Sequence, residues 1–447
     1  MDSARKTATG QELYREARAL IPGGTQLLSK RPEQFAPGVW PPYYREARGC
    51  EVVDLDGNRW VDMSISGIGS CLLGYADPDV TAAVIRRVEM GSMSTLNNPE
   101  EVDLARRLVE IHPWAQGVRY ARSGGESMAM AVRIARAATG RDRIAFSGYH
   151  GWHDWYLAAN LPRGEAGTVD PLAGHLLPGL EPRGVPAALA GTALPFRYNR
   201  IDELRAIVKE HGRGLAAVVM EPTRAVDPEP GFLEAVRDLC DEVGCLLVFD
   251  EITVGWRLCL GGAHLRYGVL PDIAVFAKAL GNGHPMAAVI GRKGAMDAAQ
   301  ETFISSTYWT EGVGPAAALA TVEKMRRVDV PAHVARIGGL FRAGLARLGE
   351  QHGVPLRLSG HPAITSLAFD HPEALALQTL LTVRMLARGF LAGGAFYATL
   401  AHTDAHVEAY LAAAEEVFHE LAEAVAKGDI RRRLGGPVRQ SGFARLA

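Results

Sequence analysis

The chain has 447 residues, 48% hydrophobic and 22% charged, with a formal net charge of −2. At roughly 100–200 residues per domain this length holds two or three domains, and the composition is that of a globular protein rather than a disordered, collagenous or disulfide-stapled one. No basic block presents a nucleic-acid face, no apolar run reaches the about 18 residues of a membrane span, and residues 1–20, with Arg5, Lys6, Glu12, Arg15, Glu16 and Arg18, hold no apolar signal-peptide core.

Five scattered cysteines (Cys50, Cys71, Cys240, Cys245, Cys259), with no Cys-x-x-Cys pair, are the usage of a reducing, cytoplasmic compartment. Seven lysines stand against 41 arginines, so the surroundings of each lysine are quickly compared.

In chain order, residues 10–20 read as an amphipathic helix stopped by Pro22-Gly23-Gly24, and residues 25–48, rich in Pro and aromatics, read as irregular. Residues 51–55 and 59–63 around the turn Asp56-Gly57-Asn58 read as a β-hairpin. From about residue 77, helical stretches (80–89, 101–110, 126–139, 201–211, 232–243) alternate with short apolar runs (117–121, 143–147, 216–220, 245–249, 273–276). That alternation implies an α/β unit whose mostly parallel sheet is covered on both faces. Residues 330–447 hold helices near 331–351, 372–388 and 405–426 with short strands between, a smaller α+β domain, and the polar stretch 431–447 reads as loosely held. The expected division is an N-terminal segment, 1–75, packing with the small domain; a large domain, 76–328; and the small domain, 329–447.

Five places carry chemistry. Ser123-Gly124-Gly125-Glu126 follows an apolar run and has the spacing of a capping box, as an ordinary capped helix has. Its two glycines let a ligand approach the helix N-terminus, where free N–H groups and the dipole favour phosphate. The run Cys245–Phe249 ends in Asp250-Glu251. Ligands of open α/β sheets sit beyond the carboxyl ends of strands, so Asp250 either faces one or caps the next turn.

Lys278 ends the apolar run 273–276 and precedes Gly281-Asn282-Gly283. Among the seven lysines it alone has this context, where desolvation makes an amine nucleophilic and able to form a Schiff base. Residues 146–155 place Tyr149 where it would stack on a flat ring. His150 and His153 with Asp154 have helical spacing for a metal but no third ligand to support one. The loop 305–311 is rich in hydroxyls that would reach a phosphate. Gly67-Ile68-Gly69 is a poor dinucleotide fingerprint, because it follows a hairpin and its third glycine is misplaced.

Taken together, Ser123-Gly124-Gly125-Glu126, Tyr149-His150-Gly151, Glu221-Pro222, Phe249-Asp250-Glu251-Ile252 and Lys278, in that order, resemble the class III aminotransferases, fold type I enzymes that use pyridoxal 5′-phosphate (PLP). The resemblance runs from about residue 20 to 418. Ile21-Pro22-Gly23-Gly24-Thr25 and Val53-Asp54-Leu55-Asp56-Gly57 are similar to the glutamate-1-semialdehyde aminomutase branch. It implies a seven-stranded sheet and these roles: Lys278 carries PLP as a Schiff base and moves the proton; Asp250 pairs with the ring nitrogen; Ile252 and Tyr149 cover the ring faces; Gly124 and Gly125 bind the phosphate; Thr307 reaches the phosphate of a neighbouring subunit, making a homodimer with shared sites; and Glu221 lines the site. An amino donor and a carbonyl acceptor would be used in ping-pong fashion.

Three departures stand out. Gly125 replaces the family's usual Thr or Ser, the loop 306–315 is longer, and residues 223–230 lack the aminomutase pattern. They favour an aminotransferase acting on a sugar-like aldehyde or ketone, of the kind met in amino-sugar or aminoglycoside (gentamicin-type 6′-oxo) biosynthesis. Arg31, Arg122 and Arg224 are candidates for a substrate carboxylate, and Asp227, Glu229 and Glu311 for a cationic amino sugar. A 2,1-aminomutase or epimerase, a nicotinamide dehydrogenase and a non-catalytic PLP-binding module are the alternatives.

Overall fold

The structure, a computed structural model, describes residues 8–161, 180–223 and 225–442. The chain forms two compact units, one of residues Pro78–Asp329 and one combining the segment up to Asp77 with that from Val330 onward.

The first unit is built on a seven-stranded sheet in the order Gly117–Ala121, Ala287–Gly291, Ile273–Phe276, Leu246–Asp250, Leu215–Met220, Arg143–Ser147, Ala193–Pro195. Only Ala287–Gly291 runs antiparallel to its neighbours. It went unread in the sequence because its strand is buried throughout, and an all-apolar run looks the same in either direction. Side chains alternate between the two faces. Val248 packs in the layer of helix Gly124–Thr139 with Met128, Ala131 and Ile134, while Leu247 and Phe249 pack opposite, with Phe232, Leu233 and Val236 of helix Phe232–Val243. Two covered faces explain why Leu215–Met220 is wholly buried and wholly apolar.

In the second unit the hairpin Glu51–Asp54/Arg59–Met63 is extended by Tyr44–Arg48 on one side and by the parallel strand Phe390–Ala392 on the other. Residues 25–48 are therefore not wholly irregular. Tyr44–Arg48 is mostly exposed and lacks the apolar alternation that marks a strand; it is held by its ladder to Glu51–Asp54. A three-stranded antiparallel sheet (Leu356–Ser359, Ile364–Phe369, Ala395–Tyr397) and helices Val330–His352, Ala374–Ala387 and Asp404–Lys427 complete the unit.

The expectation of a loose tail is corrected as far as residue 442. Helix Ile430–Leu434 buries Ile430 and Leu434, the Arg384 guanidinium donates to the Arg433 carbonyl, Gln440 N–H donates to Glu33 O, and the Gln34 side-chain amide donates to Gly442 O. Its many arginines disguise two anchoring apolar residues. Among the described residues no helix is long and apolar enough to cross a membrane, and the five cysteines are free thiols.

Candidate active site

Strand register gathers the chemistry. Ser147 lies level with Met220, Met220 with Phe249, and Asp250 with Val275. The residues next in each chain therefore emerge at one edge: Gly148–His150, Glu221, Asp250–Thr253 and Ala277–Lys278. Open parallel sheets place ligands at this carboxyl edge.

Asp250 is 3% exposed. Its Oδ2 is 2.8 Å from His150 Nδ1, and its Oδ1 accepts the Ile252 N–H at 3.0 Å. His150 Nε2 lies 3.0 Å from the Ser147 carbonyl. A carbonyl only accepts, so Nε2 carries a proton, and a second proton lies between Nδ1 and the carboxyl. Both imidazole nitrogens are thus spent within the protein, and the metal pattern of His150 with His153 resolves into a brace on Asp250. The motif Tyr149-His150-Gly151 was visible in the sequence; its partner 100 residues away was not.

Lys278 begins a 3-10 turn and has φ +46°, a left-handed conformation a side chain adopts only when its surroundings impose it. Its Nζ donates to Thr253 Oγ1 at 3.0 Å. Thr253, buried and three residues beyond Asp250, is a site residue that no motif in the sequence flagged. Glu221 is buried, with Oε2 3.3 Å from where a Cβ on Gly148 would stand. Tyr149 is half-buried, edge-on to Tyr156 at 5.8 Å.

The glycine turn meets the same edge. A Cβ on Gly124 would lie 2.9 Å from Ile252 Cδ1, and one on Gly151 would lie 3.1 Å from the Gly125 Cα. Ser123 and Glu126 form the full capping box. The first-turn N–H groups of Gly124 and Gly125 have no acceptor in their own helix. A tight cradle with free donors, next to a ring-sized apolar residue and a buried acid, fits a phosphorylated, cationic aromatic cofactor. A groove of about 390 Å³ lined by Arg133, Arg136, Trp152, His153 and Trp155 flanks the same helix without reaching Asp250 or Lys278.

Other candidates lie elsewhere. Thr307 is exposed, at the start of the turn Thr307–Thr310. Arg122 is not free for a carboxylate: it pairs with Glu311 at 2.7 Å and bonds the carbonyls of Trp309 and Glu311. Glu311 in turn accepts from Val313 and Gly314 N–H, capping the next helix. These two charges spend themselves on each other. Arg31 is buried in the other unit with its guanidinium against Gly23, and Arg224 lies outside the described residues.

Behind Asp250, the loop after the strand is braced by buried and partly buried groups. Glu251 accepts from Ala263 N–H, His264 N–H and His264 Nδ1, Trp114 Nε1 donates to His264 Nε2, and His112 Nε2 accepts the Gly262 N–H. Burial pushes the pKa of His112 down to about 4. The folded state resists this proton while the unfolded chain takes it near pH 6.5. Stability is therefore full above about pH 6.5 and falls as the pH drops toward 4, by about 3 kcal/mol for this group. His112→Gln should flatten that acid limb in urea titrations between pH 7 and 4.5; an unchanged slope would refute the assignment.

The architecture and the edge site define the class, a fold type I PLP transaminase. An ω-transaminase from Sphaerobacter thermophilus superposes with TM-score 0.79 at 27% identity, covering 93% of this chain and 98% of that one. Residues 36–413 match the model of the family described as aminotransferase class-III, and the chain belongs to that PLP-dependent family. Three relatives are each 33% identical: a 3-aminobutyryl-CoA aminotransferase of Cloacimonas acidaminovorans (84% of this chain, 87% of the relative), a glutamate-1-semialdehyde 2,1-aminomutase of Roseiflexus castenholzii (95% and 100%), and a 2′-deamino-2′-hydroxyneamine transaminase of Streptomyces kanamyceticus (84% and 91%).

Proposed function

We propose that this class III aminotransferase moves an amino group from an amino-acid donor to the aldehyde or ketone of a sugar-like acceptor, as in amino-sugar or aminoglycoside biosynthesis. The observation that carries the substrate reading is a pair of exposed acids, Asp227 and Glu229, on the loop that follows Glu221 at the carboxyl edge. That loop is held by Tyr267 Oη on Asp227 Oδ1 at 2.8 Å and by Asn199. Exposed carboxylates on a held loop suit a polycationic acceptor, and the neamine transaminase is a relative of matching extent.

In this reading Asp250 holds the ring nitrogen of PLP, Ile252 and Tyr149 enclose the ring, Gly124 and Gly125 hold the phosphate, and Glu221 lines the site. Bound PLP supplies an electron sink that acidifies the donor's α-carbon. Nζ of Lys278, tethered beside that carbon, removes the proton and returns it, exploiting fixed proximity. Thr253 Oγ1 orients that amine, and His150 keeps the carboxyl of Asp250 aimed. The enzyme works as a homodimer in the cytoplasm, with Thr307 serving the neighbouring subunit's phosphate. Exposed Met90, Met93, Leu96, Phe303 and Tyr308 support the dimer; Gly312 N–H on Ser92 O and Asn98 on Thr310 O join their two segments into one surface.

Purified enzyme should aminate oxo-sugars and 6′-oxo-aminoglycosides from L-glutamate or L-alanine. Turnover confined to 3-oxoacyl thioesters would overturn the sugar reading. Isomerisation of glutamate-1-semialdehyde without any 2-oxo acid would establish the aminomutase reading, which the full-length aminomutase relative favours.

A further inference from the structure

The mouth of helix Gly124–Thr139 lacks a side-chain donor of its own. Ser123 Oγ is occupied on both sides by Glu126, accepting its N–H at 3.4 Å and donating to Oε2 at 3.1 Å. Residues 124 and 125 have no side chains. Helix Cα–Cβ bonds tilt toward the N-terminus, so the space Gly125 leaves opens on that mouth.

A neighbouring ring stands at this space. A Cβ on Gly125 would lie 3.3 Å from His153 Cδ2, 3.4 Å from His153 Nε2 and 3.4 Å from Trp152 Nε1. The two rings stack at 4.4 Å with 25° between planes, which fixes the imidazole's orientation. His153 Nε2 is sheltered from solvent and has no hydrogen-bond partner among the described residues. A buried polar atom without a partner is costly, and a ligand is one of the ways a native protein completes it.

We infer that His153 is a phosphate-binding residue, donating from Nε2 to the anion held by the N–H groups of Gly124 and Gly125, with the close approach of Gly151 to Gly125 making room for it. The inference rests on the assignment of the PLP phosphate to that turn. Burial lowers the pKa of the imidazole, opposed by Glu126 and Asp154, so the neutral ring donates through Nε2–H. A side chain at 125 would press on the imidazole at 153, which would have to give way by a few tenths of an ångström.

The test compares PLP with pyridoxal, which lacks the phosphate, by dialysis equilibrium on apoenzyme. His153→Phe, which keeps a ring and loses the donor, should weaken PLP binding roughly ten- to hundredfold, the worth of one hydrogen bond to a charged group. Pyridoxal affinity should stay within about twofold, and His153→Gln, with an amide N–H in place of Nε2, should recover part of the loss. Gly125→Thr should also weaken PLP binding by crowding the ring, whereas His153→Ala combined with Gly125→Thr should bind PLP more tightly than His153→Ala alone. The bound cofactor's 31P resonance should move in His153→Phe. Unchanged PLP affinity, or an equal loss for pyridoxal, overturns the role of His153. Gly124→Pro separates the two readings, because proline suits the first helical position and removes the Gly124 N–H assigned to the phosphate. If it leaves the PLP-to-pyridoxal preference intact, the phosphate lies elsewhere; if it lowers the preference while the His153 variants do not, only His153 is misassigned.

Discussion

Replacing Lys278 with alanine is expected to lower turnover by about ten-thousandfold, the upper range for losing a positioned general acid and base. The lysine sits at the end of the buried strand Ile273–Phe276 in a left-handed conformation, with Nζ on Thr253 Oγ1. Among the described residues no other lysine ends a strand at this edge, so the variant loses its amine. Borohydride treatment of the PLP-loaded wild type should leave the cofactor covalently on the peptide containing Lys278 and leave none on the variant. Added methylamine should restore part of the rate, because a free amine replaces the missing base without its effective concentration. A covalent adduct on any other lysine, or more than a tenth of wild-type turnover in the variant, would remove Lys278 from its role.

Asp250→Asn is the second large effect. Two opposite charges about 4 Å apart in a partly shielded site attract by roughly 4 kcal/mol, so a loss of about a thousandfold in kcat is expected. The change is nearly isosteric. The asparagine Oδ1 still accepts the Ile252 N–H, and its Nδ2 donates to His150 Nδ1 while His150 keeps its Nε2 bond to the Ser147 carbonyl. The lost rate therefore reports the charge rather than a collapsed site, which an unaltered melting curve would verify. His150→Gln removes the brace and leaves the carboxylate, so a smaller loss of about tenfold is expected, and the double variant should be far from additive. An Asp250→Asn enzyme within tenfold of wild type would show that the acid does not face the ring nitrogen.

Fewer of the charges that the sequence offered for a substrate remain available in the fold. Arg122 and Glu311 looked like separate contacts for a carboxylate and an amino sugar, yet they form one internal pair beside the Thr307–Thr310 turn. Asp227 and Glu229 keep their exposure. Neutralising them should raise KM for a polycationic acceptor and leave KM for the amino-acid donor unchanged.

Local order along the chain was enough to determine the α/β alternation, the capped helix after Ser123, the strand-end acid at 250 and the strand-end lysine at 278. Each is written in consecutive residues: an apolar run that ends on a charge, or a glycine pair that opens a helix. Tertiary structure alone decided what joins residues far apart. It set the antiparallel insertion of Ala287–Gly291, the extra strand Tyr44–Arg48, the hold of His150 on Asp250, the bond from Lys278 to Thr253 and the ring of His153 at Gly125. The physical reason is that hydrogen bonds and charge pairs are satisfied by whichever group the fold brings within about 3 Å, and periodicity in one segment carries no record of its partner in another.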